Sequence, residues 1–174
     1  MSLLARVTAI LDGHGVEHAL IGGIALAQRG HSRFTLDTDL LTTESRVMQP
    51  AMWEPLRADG VAVEIRRGDF DDPLAGVIRI GDGEQVDVVI GKWKWEHRVI
   101  QRSEPMNVEG VIVRVPTRAD LVLLKLAAGG PKDLIDATEL LRLGPRDEII
   151  AHVNDNISSL PQDAQRAWQT LLVP

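Results

Sequence analysis

The chain has 174 residues, 44% of them apolar and 25% charged, the proportions of an ordinary soluble domain that can bury its own core. It has no cysteine, which excludes a disulfide framework, a thiol nucleophile and a thiolate zinc site. A formal charge of −6 gives no overall basic field for nucleic acid and leaves room only for a local basic groove. Nothing at the N-terminus looks like a targeting signal and no apolar run approaches a bilayer span, so a cytoplasmic protein without membrane contact is expected.

Met1 to Leu11 spaces Leu3, Leu4, Val7, Ile10 and Leu11 as a core-facing helix, which Gly13-His14-Gly15 closes. Val16 to Ile21 reads as a short strand, and Gly22-Gly23 opens a small helix that ends before Gly30. Leu36 to Thr42 alternates as a strand. Val47 to Ala58 is expected to be helical, with a break at Pro55. Val61 to Ile65, Val77 to Ile80 and Gln85 to Ile90 read as strands, the last two joined through Gly81-Asp82-Gly83-Glu84 as a hairpin. Trp93 and Trp95 look like core cover at a strand end, with stacking on a nucleobase as the alternative. Val111 to Val115 is a further β-branched strand. Beyond Pro116 the texture is helical: Asp120 to Ala128, Lys132 to Leu143, Asp147 to Asn154 and Gln162 to Leu172. The expected fold is α+β, a mixed sheet with flanking helices in residues 1–115, followed by a helical part in residues 116–174 packed on it.

Three carboxylates carry the chemistry. Asp37 and Asp39 share one face of a strand, where like charges repel and acidic residues are poor strand formers. Asp87 interrupts the apolar run Val86-Asp87-Val88-Val89. Each alone reads as a rim charge; together they ask for a compensating cation, and a divalent metal is the simplest. Upstream, Gly22-Gly23 can bring backbone N–H groups close to a phosphate, although a double glycine also marks a plain tight turn. The absence of a G-x-x-x-x-G-K-[ST] loop and of a G-x-S-x-G elbow removes the P-loop and ordinary hydrolase readings.

Ile21-Gly22-Gly23, followed by Arg33, Thr35, Asp37, Asp39 and Leu40, with Asp87 on a later strand, resembles the signature of the DNA polymerase β-like nucleotidyltransferase superfamily. Asp120-Leu121-Val122-Leu123-Leu124-Lys125-Leu126 and Pro131-Lys132-Asp133-Leu134-Ile135-Asp136 are similar to the later motifs of AbiEii-type and MNT-like small bacterial enzymes, some of them toxins of toxin–antitoxin pairs. The resemblance spans roughly residues 18 to 141. It implies an enzyme that moves a nucleoside monophosphate from an NTP such as ATP to an acceptor hydroxyl. Two Mg²⁺ ions would be held by Asp37, Asp39 and Asp87. Gly22, Gly23, Arg33, Thr35 and Lys132 would bind the nucleotide, and Lys125 and Asp133 would complete the catalytic cleft.

Lys125 also reads as a lysine snorkelling beside a buried stripe of Leu121, Leu124 and Ala128, and Asp133 and Asp136 as first-turn acids at a helix dipole. The sequence departs from the family at Thr38, where an aliphatic residue is usual, and at Gly129-Gly130, where an arginine often stands. The implied acceptor is a tRNA end or a protein, with a cognate antitoxin as partner if the enzyme is a toxin. A groove of Arg66, Arg67, Lys92 and Lys94 would serve the tRNA. The alternatives are a small-molecule acceptor of the antibiotic type and a non-catalytic relative that binds nucleotide or a partner.

Overall fold

A computed structural model describes residues 1–32, 35 and 37–172. Helix α1 (Leu3–Gly13) starts at Ser2, whose hydroxyl accepts from the Ala5 N–H, and buries Leu3, Leu4, Val7 and Leu11 as the spacing predicts. Strand β1 (Ala19–Ile21) is shorter than expected, because Val16 to His18 instead form an approach in which the His18 ring bonds the Val16 carbonyl. Then follow α2 (Gly22–Gln28) and β2 (Asp37–Thr42). The single helix expected over 47–58 is instead two 3₁₀ turns, Ser45–Met48 and Pro50–Trp53, and a short α3 (Glu54–Ala58). Pro50 has no N–H to continue a helical ladder, whereas Pro55 sits in the first turn of α3, where none is needed.

Strands β3 (Val63–Arg67), β4 (Leu74–Ile80) and β5 (Gln85–Gly91) complete a five-stranded sheet in the order β1-β2-β5-β4-β3. Only β2 and β5 run parallel; the remaining pairs are antiparallel, which makes the sheet mixed. The tryptophan segment is not a strand end. Trp93 precedes helix α4 (Lys94–Arg102), which buries Trp95, Glu96, Val99 and Ile100. A two-stranded ribbon, β6 (Glu104–Val108) with β7 (Val111–Val115), leads into α5 (Arg118–Ala128), α6 (Pro131–Leu143), α7 (Arg146–Asn156) and α8 (Gln162–Leu172). Helix α5 is buried on several sides, at Leu121, Val122, Leu123 and Leu126, not on the single stripe expected.

The two faces of the sheet differ. Leu20, Leu40, Val88 and Ile78 stand side by side in register, fully buried, and join one apolar core that reaches from Leu3 and Leu4 to Trp53 and Trp168. On the opposite face Ala19 and Leu41 pack with Ile100 of α4, and Ile21, Val89 and Leu124 of α5 join them. The end of that face beyond these contacts carries the acids.

Candidate active site

The register writes the acidic residues into one transverse row. Ile21 pairs with Asp39, Asp39 with Asp87, Asp87 with Arg79 and Arg79 with Glu64. Cross-strand partners share a face, and Asp37 stands two residues from Asp39 on that face, opposite Gln85. The three carboxylates read from the sequence are therefore brought together by β2 and β5.

Gly22 is what lets Asp39 sit there. Its φ is +67°, and a Cβ built on it would lie 2.0 Å from Asp39 Oδ2, so no other residue type fits without moving the carboxylate. Gly23 makes the same allowance for Thr35, whose Cγ2 would be 2.7 Å from an added Cβ, while the Thr35 hydroxyl donates to the Asp37 carbonyl. Ile21 caps α2 without a side-chain bond to its first-turn amides. Arg33, expected to bind nucleotide, lies outside the described residues.

Sequence reasoning missed Arg79. Its guanidinium donates to both oxygens of Asp87, at 2.8 and 3.2 Å, and Gln85 Nε2 adds a third bond at 3.2 Å. The bonds to Asp87 hold the Arg79 guanidinium above its already high pKa, and the charges of Glu64 and Asp37 add to the effect. Counting outward from the Gly81–Glu84 turn, Ile80 to Val86 and then Arg79 to Asp87, is the signal that could have found it.

Lys125 and the later acids form a second charged cluster. Lys125 Nζ donates to Asp133 Oδ1 at 2.7 Å and lies 3.0 Å from Asp136 Oδ2, with its side chain only 12% exposed. Asp136, 2% exposed, also lies 3.0 Å from His31 Nε2, which ties the end of α2 to α6. Asp133 accepts from the Gly130 N–H, so it caps α6 and positions Lys125 at once. Lys132 is exposed on the first turn of α6. Of the basic groove expected for RNA, Arg66 is paired with Glu64 and Arg67 bonds the Met48 carbonyl. Lys92 holds the carbonyls of Asp69 and Asp72.

Between the sheet face and α5 lies a cleft of about 360 Å³. Gly22 and Lys125 stand on its edge, and Ile21, Leu41, Val89, Trp95 and Leu124 line its interior. Glu96, buried beside it, accepts from the Trp93 N–H at 2.7 Å; burial nevertheless pushes its pKa above the usual carboxylate value.

Among the described residues no three His, Asp or Glu side chains already converge as a finished metal cage. The donor set is nevertheless all oxygen, and the space a Cβ would fill at Gly22 is kept open against Asp39. This fits Mg²⁺, which takes one or two carboxylates and completes its shell with water and phosphate oxygens.

Comparison with solved structures shows the fold. The chain is similar to an antigenic nucleotidyltransferase-like protein from Paracoccidioides brasiliensis, with 16% identity, 96% of this chain and 90% of that one covered, and a TM-score of 0.53. It is also similar to ANT(2'')-Ia in complex with adenylyl-2''-tobramycin, with 18% identity, 90% and 95% covered, and a TM-score of 0.59. The solution structure of the same antibiotic-resistance factor gives 22% identity, 90% of each chain covered and a TM-score of 0.56. No family model matches the chain, and no curated protein sequence matches it significantly. The mixed sheet with flanking helices is thus a nucleotidyltransferase-like fold.

Proposed function

We propose that this protein is a Mg²⁺-dependent nucleotidyltransferase that moves a nucleoside monophosphate from an NTP to an acceptor hydroxyl and releases pyrophosphate. The observation that carries the reading is the Asp39–Asp87 pairing with Gly22 against Asp39, set on this fold. Asp37, Asp39 and Asp87 would hold the metal, which when bound neutralises phosphate charge and lowers the pKa of the attacking hydroxyl. The chain's own part is positioning. Gly22 and Gly23 allow a triphosphate to approach the backbone at the start of α2, with Arg33 and Thr35 beside it. Asp87, once Arg79 gives way, takes up the hydroxyl proton as oxygen bonds to the α-phosphorus and the bond to pyrophosphate breaks. Lys125, held by Asp133 and Asp136, faces the leaving phosphates from α5. Lys132 serves the same phosphates from farther out.

The Lys125–Asp133 pair supports the AbiEii-type branch, in which a toxin would have an antitoxin as its partner. For the acceptor, a second reading is favoured by a specific observation. Arg66, Arg67 and Lys92, three of the four basic residues that would grip a tRNA, are engaged with the protein's own groups, while the cleft beside the acids is apolar, which supports a small molecule.

The test is label transfer from each of the four α-labelled NTPs with Mg²⁺, offered total tRNA, protein lysate and a panel of small hydroxyl compounds. Transfer by the wild type and none by Asp39→Asn supports the reading. Equal transfer by both proteins, or Mg²⁺–NTP binding by neither, overturns it.

A further inference from the structure

The cleft between the sheet and α5 differs from the acid row it adjoins. Its interior is Ile21, Leu41, Val89, Trp95, Leu121 and Leu124. Two ionisable groups border it, and both are committed. Lys125 is ion-paired to Asp133 and Asp136, and Glu96 accepts the Trp93 N–H. Along the apolar lining itself the body of an occupant therefore meets, among the described residues, no unpaired ionisable side chain, the acid row and Lys125 standing at its edge. A charged body laid along Ile21, Leu41, Val89, Trp95 and Leu124 would lose its hydration without compensation from that lining. A nucleobase would leave its edge donors and acceptors unpaired among leucines and valines.

The mouth of the cleft adds a second observation. The chain has only six aromatic residues, two Phe and four Trp, and no tyrosine. One of them is exposed at this mouth, and another stands on the loop that leads to it. Trp93 is 53% exposed and lines the cleft. Phe70 is 97% exposed, on the loop whose end, Pro73 and Leu74, also lines it. Lys92 pins that loop through the Asp69 and Asp72 carbonyls, so the exposed ring stands on a held segment. An exposed aromatic ring at the rim of an apolar cavity marks a surface that gains by covering.

We infer that this cleft seats the acceptor, and that the acceptor is a small neutral molecule with an aromatic or aliphatic body bearing a hydroxyl. The body lies against Trp93, Trp95 and Leu124, and the hydroxyl reaches past Gly22 toward Asp39 and Asp87. The inference rests on the nucleotidyl-transfer reading of the acid row and names its acceptor class.

The probe is 2-naphthylmethanol, titrated into the full chain by calorimetry and tryptophan fluorescence, with and without Mg²⁺ and α,β-methylene-ATP. Binding that persists with the nucleotide analogue present is expected. Trp93→Ser, at a half-exposed ring whose backbone N–H keeps its bond to Glu96, is expected to weaken it about three- to tenfold, the worth of one aromatic contact. Ala128→Trp, which fills the exposed end of the cleft, is expected to abolish it.

Strict competition between the probe and α,β-methylene-ATP makes the cleft a base pocket and overturns the inference. So does unchanged binding in both variants, or tighter binding of tobramycin or of CCA-ended tRNA that Ala128→Trp removes. Mg²⁺-dependent binding of α,β-methylene-ATP, measured alone and compared with Asp39→Asn, reports the parent reading. Its absence while the probe binds overturns the acceptor role through the loss of that reading, whereas its presence without probe binding overturns the acceptor class alone.

Discussion

Two groups of carboxylates sit in opposite circumstances. Asp120, fully buried at the start of α5, receives two nitrogens of Arg102, His152 Nε2 and the Thr117 hydroxyl. Thr117 in turn accepts the Asp120 N–H as the helix cap. That acid is enclosed on all sides by partners the chain itself supplies. Asp37, Asp39 and Asp87 stand in a row on one sheet face, with Arg79 and Gln85 on Asp87 and a glycine kept at Asp39. The first arrangement secures a helix; the second gathers negative charge at the edge of a cleft. An acid inside a fold becomes informative when its neighbours gather more acid, not when it is merely buried.

The contrast can be broken at either end. The largest effect is expected from Asp39→Asn, which should lower transfer by at least about 10³-fold, because such chemistry relies on positioning and charge neutralisation. Its thermal unfolding should stay near that of the wild type. Asp120→Ala should do the reverse. Leaving Arg102 and His152 without their acid should cost about 2–4 kcal/mol in urea unfolding, somewhat less than a fully enclosed pair because both partners are partly exposed.

Gly22→Ala joins the two kinds of effect. The positive φ should cost about 1 kcal/mol, and the displaced Asp39 carboxylate should slow transfer about 10²-fold, the scale of a 1 Å misplacement. Arg79→Gln should raise Mn²⁺ affinity by a few-fold in calorimetry, since it removes the cation that competes for Asp87. A loss of Mn²⁺ binding would instead make Arg79 part of the structural frame. The smallest effect is at Glu96. Its pKa is raised in the folded state, so the folded chain binds more proton than the unfolded one, and stability should fall as pH rises above about 4.5. Glu96→Gln should flatten that slope in pH-dependent melts.

The acid row was legible because strand alternation alone places Asp37 and Asp39 together, and an acid within Val86 to Ile90 stands out against its neighbours. The first helix and the β4–β5 hairpin were legible for similar local reasons, apolar spacing in one and a glycine-rich turn in the other. What escaped depends on contacts between distant segments. Lys92-Trp93-Lys94-Trp95 alternates like a strand, yet α4 forms because its apolar face, Trp95, Val99 and Ile100, packs on the molecule while Glu96 reaches back to the Trp93 N–H. Strand β6 hides behind Glu104 and Pro105 and exists through its pairing with β7. The partners of Lys125 were half legible: Asp133 follows from the motif, whereas His31 reaches Asp136 only because α2 ends beside α6. The Asp120 enclosure draws on two distant segments, α4 through Arg102 and α7 through His152, and only its Thr117 cap has a local signal.

The most direct test of the difference between the two acid groups is paramagnetic line broadening of amide resonances by substoichiometric Mn²⁺ in the presence of α,β-methylene-ATP. Selective broadening of Gly22, Asp37, Asp39 and Asp87, with the amides around Asp120 and His152 unaffected and the effect lost in Asp39→Asn, is the expected result. Broadening centred on any other acids, or the same pattern in Asp39→Asn, would contradict the assignment of the sheet-face row as the metal–nucleotide site.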